Sequence, residues 1–332
     1  MIIHLPKNIS RACVQQFADH VGALCLEKTD YFILITNHTV KQVPATLEDM
    51  ALAHWNFNTD MQLSSREYHP DTHRIAIGDT YIGGDQKNQL MIAGPCAVES
   101  REQIEQSCQM LKQHGIRVLR AGSYKPRTSP YTFRGLGEDG LKLLAEMREK
   151  YGLLIATEMR DATHADKVVE YADIVQVGAK AMYDHGLLTA AGQSGKPVIL
   201  KRGFGSTLQE LVNCADFIMS CGNDQVILCE RGIRSFETNT RFTLDLCGVA
   251  WLKEHCNLPI ILDPSHAMGY AYGIGDLARA CTAMGVDGLL IETHPNPCEA
   301  QSDAPQQLNH QQFSEMYNSL KAIADAVGKN LV

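Results

Sequence analysis

From Leu90 onward the chain alternates short apolar runs with amphipathic stretches. The runs are LMIAGPC (90–96), VLRAGSY (118–124), LLIATEM (153–159), IVQVGA (174–179), PVILKRG (197–203), QVILCERG (225–232), LPIILDPS (258–265) and GLLIETH (288–294). Each is nearly continuous in hydrophobic residues, as parallel strands buried on both faces require. Between them lie helical patterns: over 101–115, Ile104, Cys108 and Leu111 recur at helical spacing and Gly115 supplies the stop. Eight strand–helix repeats over about 240 residues predict a (β/α)₈ TIM barrel. A doubly wound sheet is the competing α/β architecture, but no GxGxxG follows the first strand.

The first 65 residues have a different rhythm. Ile2–Leu5 reads as a strand, and Ser10 can cap a helix carrying Val14, Phe17 and Val21. Leu24–Glu27 and Tyr31–Thr36 read as two more strands, followed by a short helix over 47–53 and a strand near Trp55–Phe57. This βαββαβ order predicts a small α+β ferredoxin-like module. Residues 74–82 alternate around Gly78-Asp79 and predict a β-hairpin leading into the barrel. The expected organisation is a ferredoxin-like domain at 1–65, a linker with the hairpin at 66–89, and the barrel at 90–332.

Composition narrows the partners. At 332 residues the chain has room for one large domain and a small one, and 45% hydrophobic with 20% charged residues is ordinary for a globular protein. A net charge of −8 without a basic run argues against nucleic acid or an anionic membrane as the main partner. No apolar run approaches the roughly 18 residues of a membrane span, and MIIHLPKNIS lacks the layout of a signal peptide, so a cytoplasmic location is expected. The 11 cysteines are scattered without CxxC pairs, which suits reduced thiols, mostly buried as small hydrophobes.

Polar chemistry collects at the C-terminal ends of the predicted strands: Cys96, Lys125, Glu158, Lys180, Lys201 with Arg202, Glu230 with Arg231, Asp263 with His266, and Glu292. Strand ends are where exposure begins, so one or two such residues need no explanation. A set on every strand points to a site on that face, where barrels of this kind keep their chemistry. Cys96, His266 and Glu292 lie on strands one, seven and eight, neighbours once a barrel closes, and Asp303 in the following loop can fold over them. A thiolate, imidazole and carboxylate mix suits one divalent Zn, Mn, Fe or Co ion. Taken singly, Cys96 reads equally as a buried thiol and Asp303 as a turn residue. His294, two residues beyond Glu292 but followed by Pro295, reads as a supporting residue. Opposite this sector, chain order places Lys125, Arg127, Lys180, Lys201, Arg202, Arg231 and Arg234. Ion pairs with Glu158, Glu230 and Asp263 account for some of these cations; the excess predicts a binding site for phosphorylated or carboxylated molecules. The P-loop, the GxSxG elbow and the dinucleotide fingerprint are absent from the sequence.

AGPCAVES (93–100), KPRTSPYTFRGLG (125–137), LKRGF (200–204), LCERGIRSFE (228–237), LDPSHAMG (262–269) and IETHPNP (291–297) together resemble the metal-dependent 3-deoxy-heptulosonate-7-phosphate synthases of the smaller, beta subtype. The likeness implies a transferase of the shikimate pathway to aromatic amino acids, condensing phosphoenolpyruvate with erythrose 4-phosphate. It implies Cys96, His266, Glu292 and Asp303 as metal ligands, with Lys125, His266 and Cys96 closest to the chemistry. It places Arg127, Lys201 and Arg231 on phosphoenolpyruvate, and Lys125, Arg127, Thr128 and Ser129 on erythrose 4-phosphate. Glu158, Ala179 and Lys180 are further expected substrate contacts. The N-terminal module is similar to the regulatory domain of some members, which implies a phenylalanine or tyrosine effector and a homodimer or homotetramer. One departure stands out: where the family usually has Gly-Ala-Arg-Asn, this chain has Gly178-Ala179-Lys180-Ala181. Lysine keeps the charge but loses the two-pronged fit to phosphate. The related 3-deoxy-octulosonate-8-phosphate synthases, acting on arabinose 5-phosphate, are the alternative, although KPRTSPYTFRG and Cys96 favour the heptulosonate enzyme. Two readings from other classes stay open here: a Schiff-base aldolase using Lys201, and a non-catalytic effector-binding barrel.

Overall fold

The computed structural model describes residues 1–125, 129 and 131–332. Eight parallel strands form the expected barrel: β7 (Asn88–Gly94), β8 (Val118–Arg120), β9 (Leu154–Met159), β10 (Ile174–Val177), β11 (Val198–Lys201), β12 (Val226–Glu230), β13 (Ile260–Leu262) and β14 (Gly288–Glu292). The ring closes where β14 pairs with β7, from Gly288↔Leu90 to Glu292↔Gly94. Outside it pack α3 (Arg101–Gln113), α4 (Glu138–Tyr151), α5 (Ala165–Tyr171), α6 (His185–Gln193), α7 (Leu208–Ser220), α8 (Leu246–His255), α9 (Pro264–Met268), α10 (Ile274–Ala283) and α11 (His310–Ala326). Strands are shorter than the apolar runs at their C-terminal ends. β13 stops at Leu262 because Asp263 turns to cap α9, its carboxylate accepting from His266 N at 2.9 Å, with Pro264 in the first turn.

Alternation along the strands divides the lumen into layers. Leu90, Ile92, Val118, Ala156, Ile174, Ile199, Ile227, Ile261 and Leu290 form one buried aliphatic cluster. Two residues further along the same strands stand Arg120, Glu158, Gln176, Lys201, Asp263 and Glu292. The lumen thus passes from oil to charge within one repeat of the pleat. Its lower end is stoppered by the predicted hairpin, β5 (Ile75–Ile77) and β6 (Thr80–Ile82), whose Ile75, Ile77 and Ile82 belong to the aliphatic cluster.

The N-terminal segment contains β1 (Ile2–Pro6), α1 (Arg11–Val21), β2 (Leu24–Glu27), β3 (Tyr31–Ile35), α2 (Ala45–Glu48) and β4 (Ala53–Trp55). The strands lie in the order β2-β3-β1-β4, every pair antiparallel. Ser10 caps α1 as expected, accepting from Cys13 N, and Gly22 ends the helix in the left-handed region (φ 63°). Ile3, Leu5, Phe32 and Leu34 pack with Val14 and Ala18 of α1, whereas Ile2, Ile33 and Ile35 join the barrel's outer core. Two expectations need correction. The helix expected over 47–53 is only Ala45–Glu48, and the following strand is Ala53–Trp55, not Trp55–Phe57. Leu52 N donates to His4 O and Ala53 pairs with His4, so sheet pairing takes residues that local periodicity assigned to the helix. A strap beyond this sheet is pinned to the barrel: Asp216 of α7 accepts from the backbone N of Gln62, Leu63 and Ser64, and Asn257 donates to Leu63 O and Ser65 O. A short last strand, β15 (Asn330–Leu331), pairs with the start of β7. Among the described residues, no helix is long and apolar enough to cross a membrane.

If the stopper is packed as tightly as these contacts indicate, Ile82→Ala should cost about 2–4 kcal/mol of unfolding free energy in urea titration, the usual range for truncating a buried isoleucine. A loss below about 1 kcal/mol would show that the hairpin does not share the barrel's core.

Candidate active site

At the C-terminal end of the barrel a cavity of about 330 Å³ is lined by Arg120, Lys125, Glu158, Gln176, Gly178, Ala179, Lys180, Lys201, Arg231, His266 and Asp303, among others. A second lobe, bounded by Arg134, Arg160, Asp161 and Asp184, shares Lys125, Glu158 and Lys180 with it.

One wall gathers the four candidate ligands. Donor atoms of Cys96, Glu292 and Asp303 lie within 4.8 Å of one another, and His266 Nε2 stands 3.6 Å from Glu292 and 4.0 Å from Asp303. Backbone geometry makes this convergence possible. Gly94 (φ 147°) leaves room for the backbone of Arg120, with which any Cβ would collide, and Cys96 follows two residues later. Asp303 has φ 51°, the one positive value among described non-glycine residues, so the loop is held in a costly conformation to turn this carboxylate inward. Its oxygen lies 3.4 Å from Cys96 Sγ, which also meets Ser302 Oγ at 2.9 Å.

The surroundings keep the carboxylates ionised. Burial of Glu292 alone would raise its pKa, but His266, Arg120 and Lys125 together hold it far below the usual carboxylate range. Arg120 is ion-paired with Glu292, and Gln306 Nε2 donates to its other oxygen at 2.5 Å. Asp263 is likewise depressed against its burial, by His266 (Nδ1 at 2.7 Å) and Lys201 (Nζ at 2.5 Å). Burial lowers the His266 pKa, and the Asp263 and Glu292 charges oppose that shift. With Nδ1 engaged by Asp263, Nε2 is turned toward the carboxylates of Glu292 and Asp303. Cys96 is pushed up to about 12, by burial first and then by the Glu292 charge.

The cations are distributed otherwise than chain order implied. Lys125 and Lys201 belong to the ligand wall and not the opposite side: Lys125 Nζ donates to Cys96 O at 3.0 Å, and Lys201 is tied to Asp263. Lys125 follows β8, the neighbour of β7 in the ring, and Lys201 is drawn to the buried Asp263 carboxylate. Arg202 faces away from the cavity, buried between Glu230 and Asp245 at 2.9 and 2.8 Å. Lys180, Arg231 and Arg234 do line the cavity, as does Ala179. Arg231 is 3% exposed, yet among the described residues no carboxylate pairs with it; its guanidinium reaches only Gly232 O (3.3 Å) and His266 O (3.5 Å). Burial lowers its pKa. The Glu158 carboxylate lies over Gly178, where any Cβ would strike it. Ser129 is spent in a rim turn, accepting from Tyr131 N, and is not among the cavity's lining residues. Arg127 and Thr128 lie outside the described residues. His294 supports the loop through Glu99, as its sequence position implied.

Sequence reasoning missed Arg120, Gln176, Arg241, Phe204, Phe242 and Gln306. For Arg120 a signal existed: it shares the inward face of β8 with Val118, but it sat inside an apolar run instead of at its end. The others stand on loops or amid hydrophobic residues, where period alone assigns no chemistry.

Residues 60–328 match the DAHP synthetase I family. The chain belongs to that family. The phospho-2-dehydro-3-deoxyheptonate aldolase of Thermotoga maritima is 46% identical over 267 residues, covering 80% of this chain and 78% of the relative. The crystal structure of a DAHP synthase from that organism superposes with a TM-score of 0.81 at 38% identity, covering 100% of this chain and 99% of the other. A 2-dehydro-3-deoxyphosphooctonate aldolase of Methylobacillus flagellatus is 35% identical over 265 residues, 74% of this chain and 92% of that protein. Membership in the DAHP synthetase family makes the chain an enzyme of the DAHP synthase type.

Arg120 is the residue most tightly committed to the wall. Arg120→Met removes the counter-charge of a fully buried carboxylate, so apo-protein stability should fall by about 3–5 kcal/mol in chemical denaturation. A change within about 1 kcal/mol would mean that Glu292 does not depend on this partner.

Proposed function

We propose that this DAHP synthase-type enzyme joins phosphoenolpyruvate to erythrose 4-phosphate at the cavity described, consuming water and releasing phosphate at the entry to the shikimate pathway. The observation that carries this reading is the pairing of two unlike walls. A Cys-Glu-Asp cluster with His266 beside it shares one cavity with the buried Arg231, which among the described residues has no carboxylate in ion-pair reach, and Lys125 and Glu158 line both lobes.

Cys96, His266, Glu292 and Asp303 suit a divalent Zn, Mn, Fe or Co ion: the donor set is mixed and compact, and His266 Nε2 faces Glu292 and Asp303. Such an ion would withdraw electron density from a sugar aldehyde and favour the Cys96 thiolate over the thiol. The protein's own groups account for the remainder. Arg231, Lys180 and Lys201, with Arg127, hold the carboxylate and phosphate of phosphoenolpyruvate; the KPRTS stretch and the second lobe receive the sugar phosphate. The C2–C3 π electrons of phosphoenolpyruvate form the new bond to the aldehyde carbon, and Lys125 supplies the proton to the oxygen that becomes a hydroxyl. Water adds to the electron-poor C2 and loses a proton, a role for which Glu158 and Asp303 are both placed. The C2–O bond to phosphate then breaks, leaving a ketone. Seating both reactants together converts their encounter into a near-unimolecular step.

Lys201 does not suit a Schiff base, because its ammonium is locked to the buried Asp263 carboxylate. The deciding assay is anaerobic turnover by metal-reconstituted protein with phosphoenolpyruvate and a panel of four- and five-carbon aldose phosphates, read by phosphate release. Erythrose 4-phosphate should be used best; preference for arabinose 5-phosphate would move the chain to the octulosonate activity. Chelation should abolish turnover and Mn²⁺ or Zn²⁺ restore it, with Cys96→Ala folded but unable to retain metal. Full activity in protein verified as metal-free would refute the ligand assignment.

The N-terminal sheet fits a regulatory role, with phenylalanine or tyrosine as effector and a homodimer or homotetramer as the assembly. The residues given roles in bond making all begin at Cys96, so the sheet can act only by favouring one state of the barrel. Removing residues 1–59, which spares the strap and the hairpin stopper, should leave an active barrel that neither amino acid inhibits. A full-length enzyme indifferent to both, or a truncated one inhibited as before, counts against regulation by this sheet.

A further inference from the structure

Arg231 poses a problem that the proposed reaction does not solve. A guanidinium almost wholly buried normally has a carboxylate beside it, since an unpaired buried charge is costly. Among the described residues no carboxylate is in ion-pair contact with Arg231, Asp263 acting on it only from farther off, and its two contacts to carbonyl oxygens are long. What it does have is aromatic rings. Its guanidinium carbon lies 4.2 Å from the centroid of Phe242 and 5.7 Å from that of Phe204, and the two rings stack on each other at 5.4 Å. Arg234 approaches Phe204 at 5.1 Å and Arg241 approaches Phe242 at 5.9 Å. Two rings and three guanidinium groups thus share one corner of the cavity.

The backbone holds this corner in place. Phe242 N donates to Ala267 O at 2.8 Å, fastening the loop after β12 to the segment after β13, and Arg234 N donates to Phe204 O at 2.7 Å. Gly232 (φ 95°) lies so close beneath that a Cβ would stand 2.7 Å from Phe242 Cβ. The ring therefore sits where its backbone, and a glycine that can be nothing larger, require it.

We infer that Phe204 and Phe242 are positioning residues that stand in for a carboxylate beside Arg231, stabilising its charge while leaving its N–H groups free for phosphoenolpyruvate. A ring meets a guanidinium with its negative face and engages the cation's flat side. A carboxylate would instead occupy the N–H edge, the part that grips a phosphate or carboxylate bidentately, and the substrate would have to displace it. The rings supply electrostatic support without competing for the donors. This inference rests on the reading that Arg231 binds phosphoenolpyruvate.

The test replaces Phe242 with leucine, with tryptophan, and with phenylalanines of increasing ring fluorination, which drains the negative face at nearly constant shape. Phosphoenolpyruvate affinity is measured by calorimetry on the metal-loaded enzyme and as KM. Phe242→Leu should weaken phosphoenolpyruvate by about 3- to 30-fold, the range set by cation–π strengths, while kcat and the KM of the aldose phosphate move by less than about twofold. Affinity should fall stepwise with fluorination and be kept by Phe242→Trp. A flat fluorination series in an enzyme that does bind phosphoenolpyruvate would overturn the inference and reduce the rings to packing. A wild-type enzyme that binds no phosphoenolpyruvate would overturn the reading beneath it as well.

Discussion

Two carboxylates with no solvent exposure, Glu292 and Asp263, sit where the aliphatic lumen of the barrel gives way to its charged layer. Burying an unpaired charge is costly enough that such groups normally take up a proton instead. Here Arg120, Lys125, Lys201 and His266 surround them, and the balance falls strongly toward ionisation. The orientation of His266, the engagement of Lys201 and the inward aim of Arg120 all follow from that requirement. The site is a charge network first. A cation between Cys96 and Asp303 would complete it without building it.

That network also shows where sequence can be read and where it cannot. The barrel was legible because parallel strands buried on both faces leave continuous apolar runs, and eight of them alternate with helical patterns. Cys96, His266, Glu292 and Asp303 were legible as a group because closing the ring brings strands one, seven and eight together. Arg120 escaped because one charge inside an apolar run resembles noise until the parity of β8 is known. Assigning the cations to an opposite wall failed for Lys125, which follows the strand next to that of Cys96, and for Lys201, whose side chain is drawn to the buried Asp263 carboxylate. The correction at residues 45–55 has the same origin: pairing with His4 outweighed a local preference of only a few residues.

The two kinds of arginine at the rim separate structure from binding. Arg202 is sandwiched by Glu230 and Asp245 and is satisfied without a ligand. Arg231, its neighbour along the next strand, is at least as buried and is left with rings and distant carbonyls. In sequence both are arginines at adjacent strand ends. Only their counter-charges distinguish them: two carboxylates brace Arg202, and among the described residues none is in ion-pair contact with Arg231.

The isoleucine stopper formed by Ile75, Ile77 and Ile82 has a consequence for traffic. A barrel plugged from below is a chamber with one door. The product must leave by the same opening through which the next molecules enter. One shared mouth is thus set by apolar side chains at the end of the lumen away from the charged layer.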